Sequence, residues 1–148
     1  MQDLFDKFET FTVPDFPPNE SSVYVILCVK GNEEIPIYIG EASKLRRRIG
    51  GYISASFQLF TDFKVGEAIR YLQEEEYKVV IKYKSTKEEF RKEEEKSIID
   101  NLHGEGYRLL NDLGSYNYRT ASKEEERLRI RSFSNDILKI FANRSHSC

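Results

Sequence analysis

The apolar and polar positions divide the chain into short blocks with two different periods. Residues 22–30 form a nearly continuous apolar run rich in β-branched side chains, which predicts a buried strand. The polar residues 31–34 predict a turn, and residues 35–40 form a second apolar run. Residues 22–40 are therefore predicted to be a β-hairpin. Residues 77–83 alternate in part between apolar and polar side chains and predict a third strand.

Four segments have apolar residues at helical spacing. In the first of them Leu45, Ile49 and Ile53 are expected to share one face. The predicted helices run from the cap Ser43 to about Tyr52, over residues 65–75, from the cap Ser85 or Thr86 to about Leu102, and from about Ala121 to about Asn143. Residues 54–64 are ambiguous, and residues 107–111 are predicted to be an extended return.

The order of these elements predicts an α+β fold, in which helices flank a small, mostly antiparallel three-stranded sheet. A chain of 148 residues fits one domain with its own core. Three prolines exclude a continuous helix before residue 22. We therefore predict an N-terminal arm over residues 1–21, a central domain over residues 22–112, and a C-terminal helical extension over residues 113–148 packed on the same domain.

Composition excludes several classes of protein. No apolar run approaches the roughly 20 residues that span a bilayer, and the acidic N-terminus does not resemble a signal peptide, so a cytoplasmic protein without a membrane partner is predicted. Cys28 and Cys148 form no disulfide framework, and Cys28 is expected to be a buried apolar residue. His103 and His146 form no zinc pattern with these cysteines.

The charge is unevenly distributed, although the net charge is only −2. Residues 1–22 carry one lysine against five carboxylates, 1 − 5 = −4, whereas residues 44–48 carry four basic residues, +4. These four are Lys44, Arg46, Arg47 and Arg48. Such a local basic patch can bind a phosphate backbone even when the whole chain is acidic.

Tyrosine and arginine side chains could meet beside the hairpin. Tyr24 and Tyr38 lie on its two strands, where the alternative to a functional role is simple packing. Arg48 and Tyr52 are four residues apart on the following helix and share a face. Arg48 is therefore a candidate phosphate clamp, because a guanidinium matches phosphate in geometry and charge. The alternative is that the run of arginines forms a solvated helix face.

A carboxylate can be assigned to the buried face of the third predicted helix. At about 100° per residue, Glu95 falls inside the arc of Ile98, Ile99 and Leu102, whereas Glu94 falls nearer its edge. A carboxylate on an apolar face is costly unless it is paired or binds a metal. Glu95 is therefore the preferred metal ligand and Glu94 the second, the alternative being a salt bridge to a nearby basic residue.

Taken together, these residues resemble the GIY-YIG nuclease family over about residues 22–112. The ordered set consists of Ser22-Val23-Tyr24 in place of Gly-Ile-Tyr, an intact Tyr38-Ile39-Gly40, Arg48, Tyr52, Glu95 and Asn111. Each motif is weak alone, and their common order makes the set specific. The chain departs from many relatives at Glu41, which stands where they have a basic residue, although some relatives also have Glu.

The resemblance implies a metal-dependent DNA endonuclease. Glu95 would hold a single Mg²⁺ or Mn²⁺, and Tyr24 with Tyr38 beside it would position and activate the water. Arg48 would stabilise charge on the phosphoryl oxygens, and Asn111 and Tyr52 would orient the phosphate or the tyrosines. DNA is the expected partner, and Lys44, Arg46, Arg47 and Arg48 are the expected DNA-binding residues.

Two alternatives remain open at the level of sequence. The first is a catalytically idle module on the same fold that binds nucleic acid or another protein, which the net acidic charge and Glu41 favour slightly. The second concerns the last helix, which could mediate oligomerisation or DNA contact, although packing back on the domain is the better explanation of its apolar residues. The sequence leaves the oligomeric state open, a homodimer included, and it identifies neither the cognate DNA nor a role in repair, restriction or mobile elements.

Overall fold

The computed structural model describes residues 2–13 and 15–145, and the side chains among residues 4–13 and 15–141. Its strands are β1 (Glu9–Thr12), β2 (Ser22–Lys30), β3 (Glu33–Ala42) and β4 (Lys78–Ser85). Its helices are α1 (Leu45–Ser54), α2 (Phe60–Glu74), α3 (Arg91–Gly104) and α4 (Lys123–Ser145). Three short 3-10 turns cover Gln2–Phe5, Glu88–Phe90 and Leu110–Asp112. The predicted α+β class is confirmed.

The sheet has four antiparallel strands in the order β1-β4-β2-β3, so the predicted number of three is wrong. The additional strand, β1, comes from the segment that we predicted as an arm. The prolines in that segment exclude a helix but not a short edge strand, which pairs on one side only. Phe11 of β1 packs edge-on against Tyr83 of β4, with ring centroids 5.8 Å apart.

Strand β2 is buried on both faces, as its continuous apolar run predicted. Tyr24, Ile26 and Cys28 face one core together with residues of α1, α2 and α4. The alternate residues of β2 face a second, smaller core that includes Ile98 and Leu102 of α3. Because successive side chains of a strand point to opposite faces, β2 joins the two cores. The prediction that Cys28 is a buried apolar residue is confirmed. Cys148 and His146 lie outside the described residues.

Several helix boundaries differ from those predicted. The residue that precedes α1 is Lys44, without a side-chain cap, rather than Ser43. The ambiguous segment contributes the first turns of α2, which begins at Phe60. Neither Ser85 nor Thr86 caps α3, because Ser85 belongs to β4 and a 3-10 turn precedes the helix.

The predicted apolar face of α1 is correct for two of its three residues. Leu45 and Ile49 are buried, but Ile53 is exposed, and Tyr52 takes its place against the core. A helix has 3.6 residues per turn, so both Tyr52 and Ile53 follow Ile49 by nearly one turn, and the spacing alone does not choose between them.

The C-terminal helix packs back on the domain, which was the preferred alternative. Ile130, Ile137, Leu138 and Phe141 of α4 belong to the same core as β2. The buried carboxylate of Glu67 on α2 lies 3.3 Å from Nε of Arg127 and adds an ion pair between the two helices. Among the described residues, none of the helices is long and apolar enough to cross a membrane.

Candidate active site

The site forms beside β3, an edge strand of the sheet. An edge strand exposes unpaired backbone groups, and Asn111 covers two of them. Its side-chain Oδ1 accepts a hydrogen bond from Ile39 N at 3.0 Å, and its Nδ2 donates to Ile39 O at 2.7 Å. The amide of Asn111 therefore fixes the backbone between Tyr38 and Gly40.

Three tyrosines pack together on the inner side of β3. The ring centroids of Tyr24, Tyr38 and Tyr52 are 6.2–6.4 Å apart in all three pairs. The hydroxyl groups of Tyr24 and Tyr52 form a short hydrogen bond. Tyr24 is fully buried and Tyr52 nearly so, whereas Tyr38 is 8% exposed. Tyr38 is therefore the tyrosine of this group with the best access to solvent.

Gly40 is required by the position of the Tyr24 ring. The two residues are cross-strand partners in the β2–β3 pair. A Cβ atom on residue 40 would lie 2.9 Å from Cε2 of Tyr24 and closer still to its Cζ and hydroxyl oxygen. The glycine of the second motif thus has a packing function at the candidate site.

We expect Gly40→Ala to destabilise the protein by about 1–3 kcal/mol, because the fully buried ring of Tyr24 has no room to move away. Urea unfolding would measure the change. Gly50→Ala is the matched control, since nothing lies within 4 Å of a Cβ on that residue of α1. Alanine in a helix interior is favoured over glycine, so the control variant should be stabilised by about 0.5–1 kcal/mol. A Gly40→Ala protein as stable as the wild type would contradict the packing argument.

Arg48 of α1 is hydrogen-bonded to the tyrosine group through Tyr52. Its Nε donates to the hydroxyl of Tyr52 at 3.2 Å, as the four-residue spacing predicted, and its Nη1 forms an ion pair with Oδ1 of Asp62 at 3.2 Å. Asp62 lies in the first turn of α2, and its side chain is only 10% exposed. Asp62 therefore fixes the guanidinium for which the sequence predicts a phosphate-clamp role.

The tyrosines are neutral in this environment. Burial raises the pKa of Tyr24, Tyr38 and Tyr52 well above the ordinary value, and one neighbouring tyrosine raises each pKa further: Tyr38 that of Tyr24, Tyr52 that of Tyr38, and Tyr24 that of Tyr52. Burial by itself would lower the pKa of Arg48, but Tyr52 and Tyr24 raise it overall. The site therefore presents phenolic hydroxyls and a permanent cation at neutral pH.

The two candidate carboxylates on α3, Glu94 and Glu95, have different neighbours. Glu94 turns toward β4, where it accepts a hydrogen bond from the Thr86 hydroxyl and pairs with Lys84 Nζ at 3.5 Å. Glu95 lies close enough to Glu41, Arg48 and Tyr38 to interact with them electrostatically. Of the two, Glu95 is therefore the carboxylate that interacts electrostatically with Tyr38 and Arg48.

Burial, reinforced by the neighbouring Glu41, raises the pKa of Glu95 from its ordinary value of 4.5 to about 7. The folded state then binds a proton that the unfolded state releases near pH 4.5. Folding stability contributed by Glu95 is therefore fully present below pH 4.5 and is lost as the pH rises to about 7.

In EDTA, Glu95→Gln should thus be more stable than the wild type above pH 7, and this gain should disappear toward pH 4.5. Urea unfolding of both proteins between these limits would test it. A stability difference that does not change with pH would contradict the raised pKa.

A cleft of about 630 Å³ opens between α1 and the start of α3, and it is lined by Arg48 but not by Glu95 or the three tyrosines. Its lining residues are Glu41, Ala42, Ser43, Lys44, Arg47, Arg48, Gly51, Asp62 and Arg91. Three of the four predicted DNA-binding residues therefore share one cavity. Arg46, the fourth, is not among the lining residues, and its Nε donates to the carbonyl of Pro17 at 2.8 Å. Lys44, Arg47 and Arg48 thus face the cleft, whereas Arg46 contacts the N-terminal segment.

Sequence reasoning missed two residues of this site, Asp62 and Arg91. Asp62 lies in the segment whose secondary structure was ambiguous. Arg91 precedes Glu95 by four residues, so helical spacing could have indicated that it shares the face of Glu95. Its partner is Glu41, whose Oε2 lies 2.9 Å from Arg91 Nε.

Comparisons of this chain with protein-family models, with curated proteins and with solved structures found no significant match.

Proposed function

We propose that this protein is a metal-dependent DNA endonuclease of the GIY-YIG type, which hydrolyses phosphodiester bonds in the cleft beside β3. The observation that carries the proposal is that Arg48, which lines the cleft and is held by Tyr52, lies near enough to Tyr38 and Glu95 to interact with them electrostatically. These residues would supply a hydroxyl, a fixed cation and a carboxylate. Phosphoryl transfer depends mainly on such positioning and charge stabilisation.

In the part of the chain that the structure describes, no three His, Cys, Asp or Glu side chains form a group that could hold a metal ion, so a divalent cation would rely on the carboxylate of Glu95. Mg²⁺ commonly binds through one or two carboxylates together with water and substrate phosphate, so a dense acidic cluster is not required. Glu95 would hold Mg²⁺ or Mn²⁺, and the elevated pKa of its carboxyl is what a nearby cation would lower. When bound, the ion would act as a Lewis acid at the scissile phosphate.

The protein side chains would bind the phosphate and orient the attacking water. Arg48, fixed by Asp62 and Tyr52, would bind the phosphoryl oxygens and stabilise their developing charge. Tyr38, the more accessible tyrosine, would orient the attacking water through its neutral hydroxyl. Tyr24 would act through Tyr52 rather than at the water, because it is fully buried and bonded to the Tyr52 hydroxyl.

Asn111 would act as a positioning residue. Both ends of its amide are engaged by the backbone of Ile39, next to Tyr38. Its contribution would be to keep the edge strand, and with it the Tyr38 ring, in a constant position relative to Arg48.

The test is a nicking assay on supercoiled plasmid and on a panel of branched oligonucleotides, with Mg²⁺ or Mn²⁺ and with EDTA. We expect cleavage by the wild type that requires the metal and is lost in Glu95→Ala. Metal-dependent cleavage that survives in purified Glu95→Ala protein would refute the assignment of Glu95. Failure of the wild type on every substrate would count against the nuclease.

The second candidate is a nucleic-acid-binding module without catalysis. The ion pair between Arg48 and Asp62 favours it, because a paired guanidinium can be explained by stability alone. The same nicking assay, followed by measurement of salt-dependent DNA binding, separates the two candidates: binding without cleavage under all metal conditions supports the module.

A further inference from the structure

Arg91 occupies the wall of the cleft on the side of α3. It is the first residue of that helix, one turn before Glu95 and on the same face. Its side chain is only 12% exposed, yet it lines the cavity together with Arg47 and Arg48 of α1. The two helices approach the edge strand from different cores, so arginines reach the cleft from both of its sides.

The hydrogen-bonding capacity of Arg91 is incompletely used. Its Nε lies 2.9 Å from Oε2 of Glu41, and its Nη2 lies 3.9 Å from Oε1 of Glu88. The Nε contact lacks hydrogen-bond geometry, and the buried Nη1 has no hydrogen-bond partner in the part of the chain that the structure describes. Buried donors are normally satisfied, so Nη1 retains the capacity to donate to an acceptor that enters the cleft.

The charges that line the cleft favour an anionic ligand. Four cations, Lys44, Arg47, Arg48 and Arg91, face two carboxylates, 4 − 2 = +2. Both carboxylates already contact an arginine, Asp62 with Arg48 and Glu41 with Arg91. The volume of about 630 Å³ falls within the range of cavities that enclose a small-molecule ligand and exceeds the size of a single phosphate group.

We propose that Arg91 is a second phosphate-binding residue, which takes the backbone phosphate adjacent to the one bound by Arg48. The inference rests on the proposed nuclease function and extends it, because it defines the ligand of this cleft as two consecutive phosphates of one strand. A strand that crosses the edge of β3 meets α1 on one side and α3 on the other. Glu41 is then the counter-ion that holds the Arg91 guanidinium in the cleft until a phosphate binds.

If Arg91 binds a backbone phosphate, Glu41 should lower the affinity of the protein for DNA. Glu41 competes with the phosphate for Arg91, since both present oxygen acceptors to one guanidinium. Removing its charge with Glu41→Gln should therefore strengthen binding of DNA. A purely structural ion pair between α3 and β3 makes the opposite prediction, because its loss would loosen the cleft and weaken binding.

The experiment measures the anisotropy of a fluorescent single-stranded oligonucleotide and of its duplex, in EDTA, over a series of salt concentrations. For Arg91→Gln we expect weaker binding, and a slope of log Kobs against log salt that is smaller by about 0.7 for the single strand and about 0.9 for the duplex. Lys96→Gln is the matched control, because it removes the same charge from an exposed position of the same helix outside the cleft. Its slope should equal that of the wild type.

Three results are distinguishable. A reduced slope in Arg91→Gln, with tighter binding in Glu41→Gln, supports the assignment even if the wild type cleaves nothing, in which case only the nuclease proposal fails. Equal slopes for Arg91→Gln and Lys96→Gln overturn the assignment, even if the wild type is an active nuclease. Absence of binding by the wild type overturns both. Urea unfolding of each variant ensures that only folded proteins are compared.

Discussion

Glu95→Ala is expected to abolish cleavage while the protein still folds and binds DNA. Glu95 is the proposed ligand of the metal, so without it the Lewis acid at the scissile phosphate is lost. The fold should survive because Glu95 contributes a carboxylate with an elevated pKa, which does not stabilise the folded state at neutral pH. Plasmid nicking with Mn²⁺ and DNA binding in EDTA would measure the two properties separately.

The neighbouring glutamates provide matched controls for this experiment. Glu93 is exposed on the same helix, and Glu93→Gln should cleave like the wild type. Glu94→Gln loses the charge that pairs with Lys84 but keeps an oxygen that can accept from Thr86, so we expect a small loss of stability and retained cleavage. If Glu94→Gln were inactive and Glu95→Ala active, the choice of Glu95 from the helix face would be wrong.

Arg48→Ala is expected to reduce the rate of cleavage by about 10²–10³-fold, the effect of removing one fixed donor from a developing negative charge. The loss should fall on kcat, because Arg48 interacts most strongly with the phosphoryl oxygens in the transition state. Single-turnover cleavage at saturating protein would measure it. An unchanged rate would refute the phosphate-clamp role.

A loss of folding has to be separated from a loss of chemistry in this variant. Arg48→Ala leaves the nearly buried carboxylate of Asp62 without its ion-pair partner, which is unfavourable. The double variant Arg48→Ala/Asp62→Asn removes both charges and should recover stability in urea without recovering activity. Arg48→Lys keeps the charge but loses the planar fork, so we expect it to remain well below the wild type. Arg47→Ala should instead weaken DNA binding, with a smaller effect on the rate of the bound complex.

The hairpin illustrates what could be predicted directly. Residues 22–30 are apolar at consecutive positions, and a strand with that pattern has to be covered on both faces. In the structure each face of β2 packs into its own core, as that pattern predicts. The half-buried position of Glu95, on the side of α3 that carries the buried Ile98 and Leu102, was likewise predictable, because helical geometry fixes the direction of each side chain.

The edge of the sheet was less predictable. β1 has only four residues and pairs with β4, some 70 residues away in the sequence, so its local pattern carries little information. The role of Asn111 was equally difficult to predict from the local sequence. An asparagine after an extended segment normally indicates a turn, and only the fold brings its amide to the backbone of Ile39.

The sequence by itself determined the α+β class, the buried hairpin and the shared face of Arg48 and Tyr52. Each of these follows from the period of a strand or a helix, which acts over a few residues. The tertiary structure decided the fourth strand, the hydrogen bond between the Tyr24 and Tyr52 hydroxyls, and the ion pairs of Arg48 with Asp62 and of Glu41 with Arg91. These features join different elements of the fold, and their geometry depends on how the helices pack against the sheet, which no local pattern of side chains encodes.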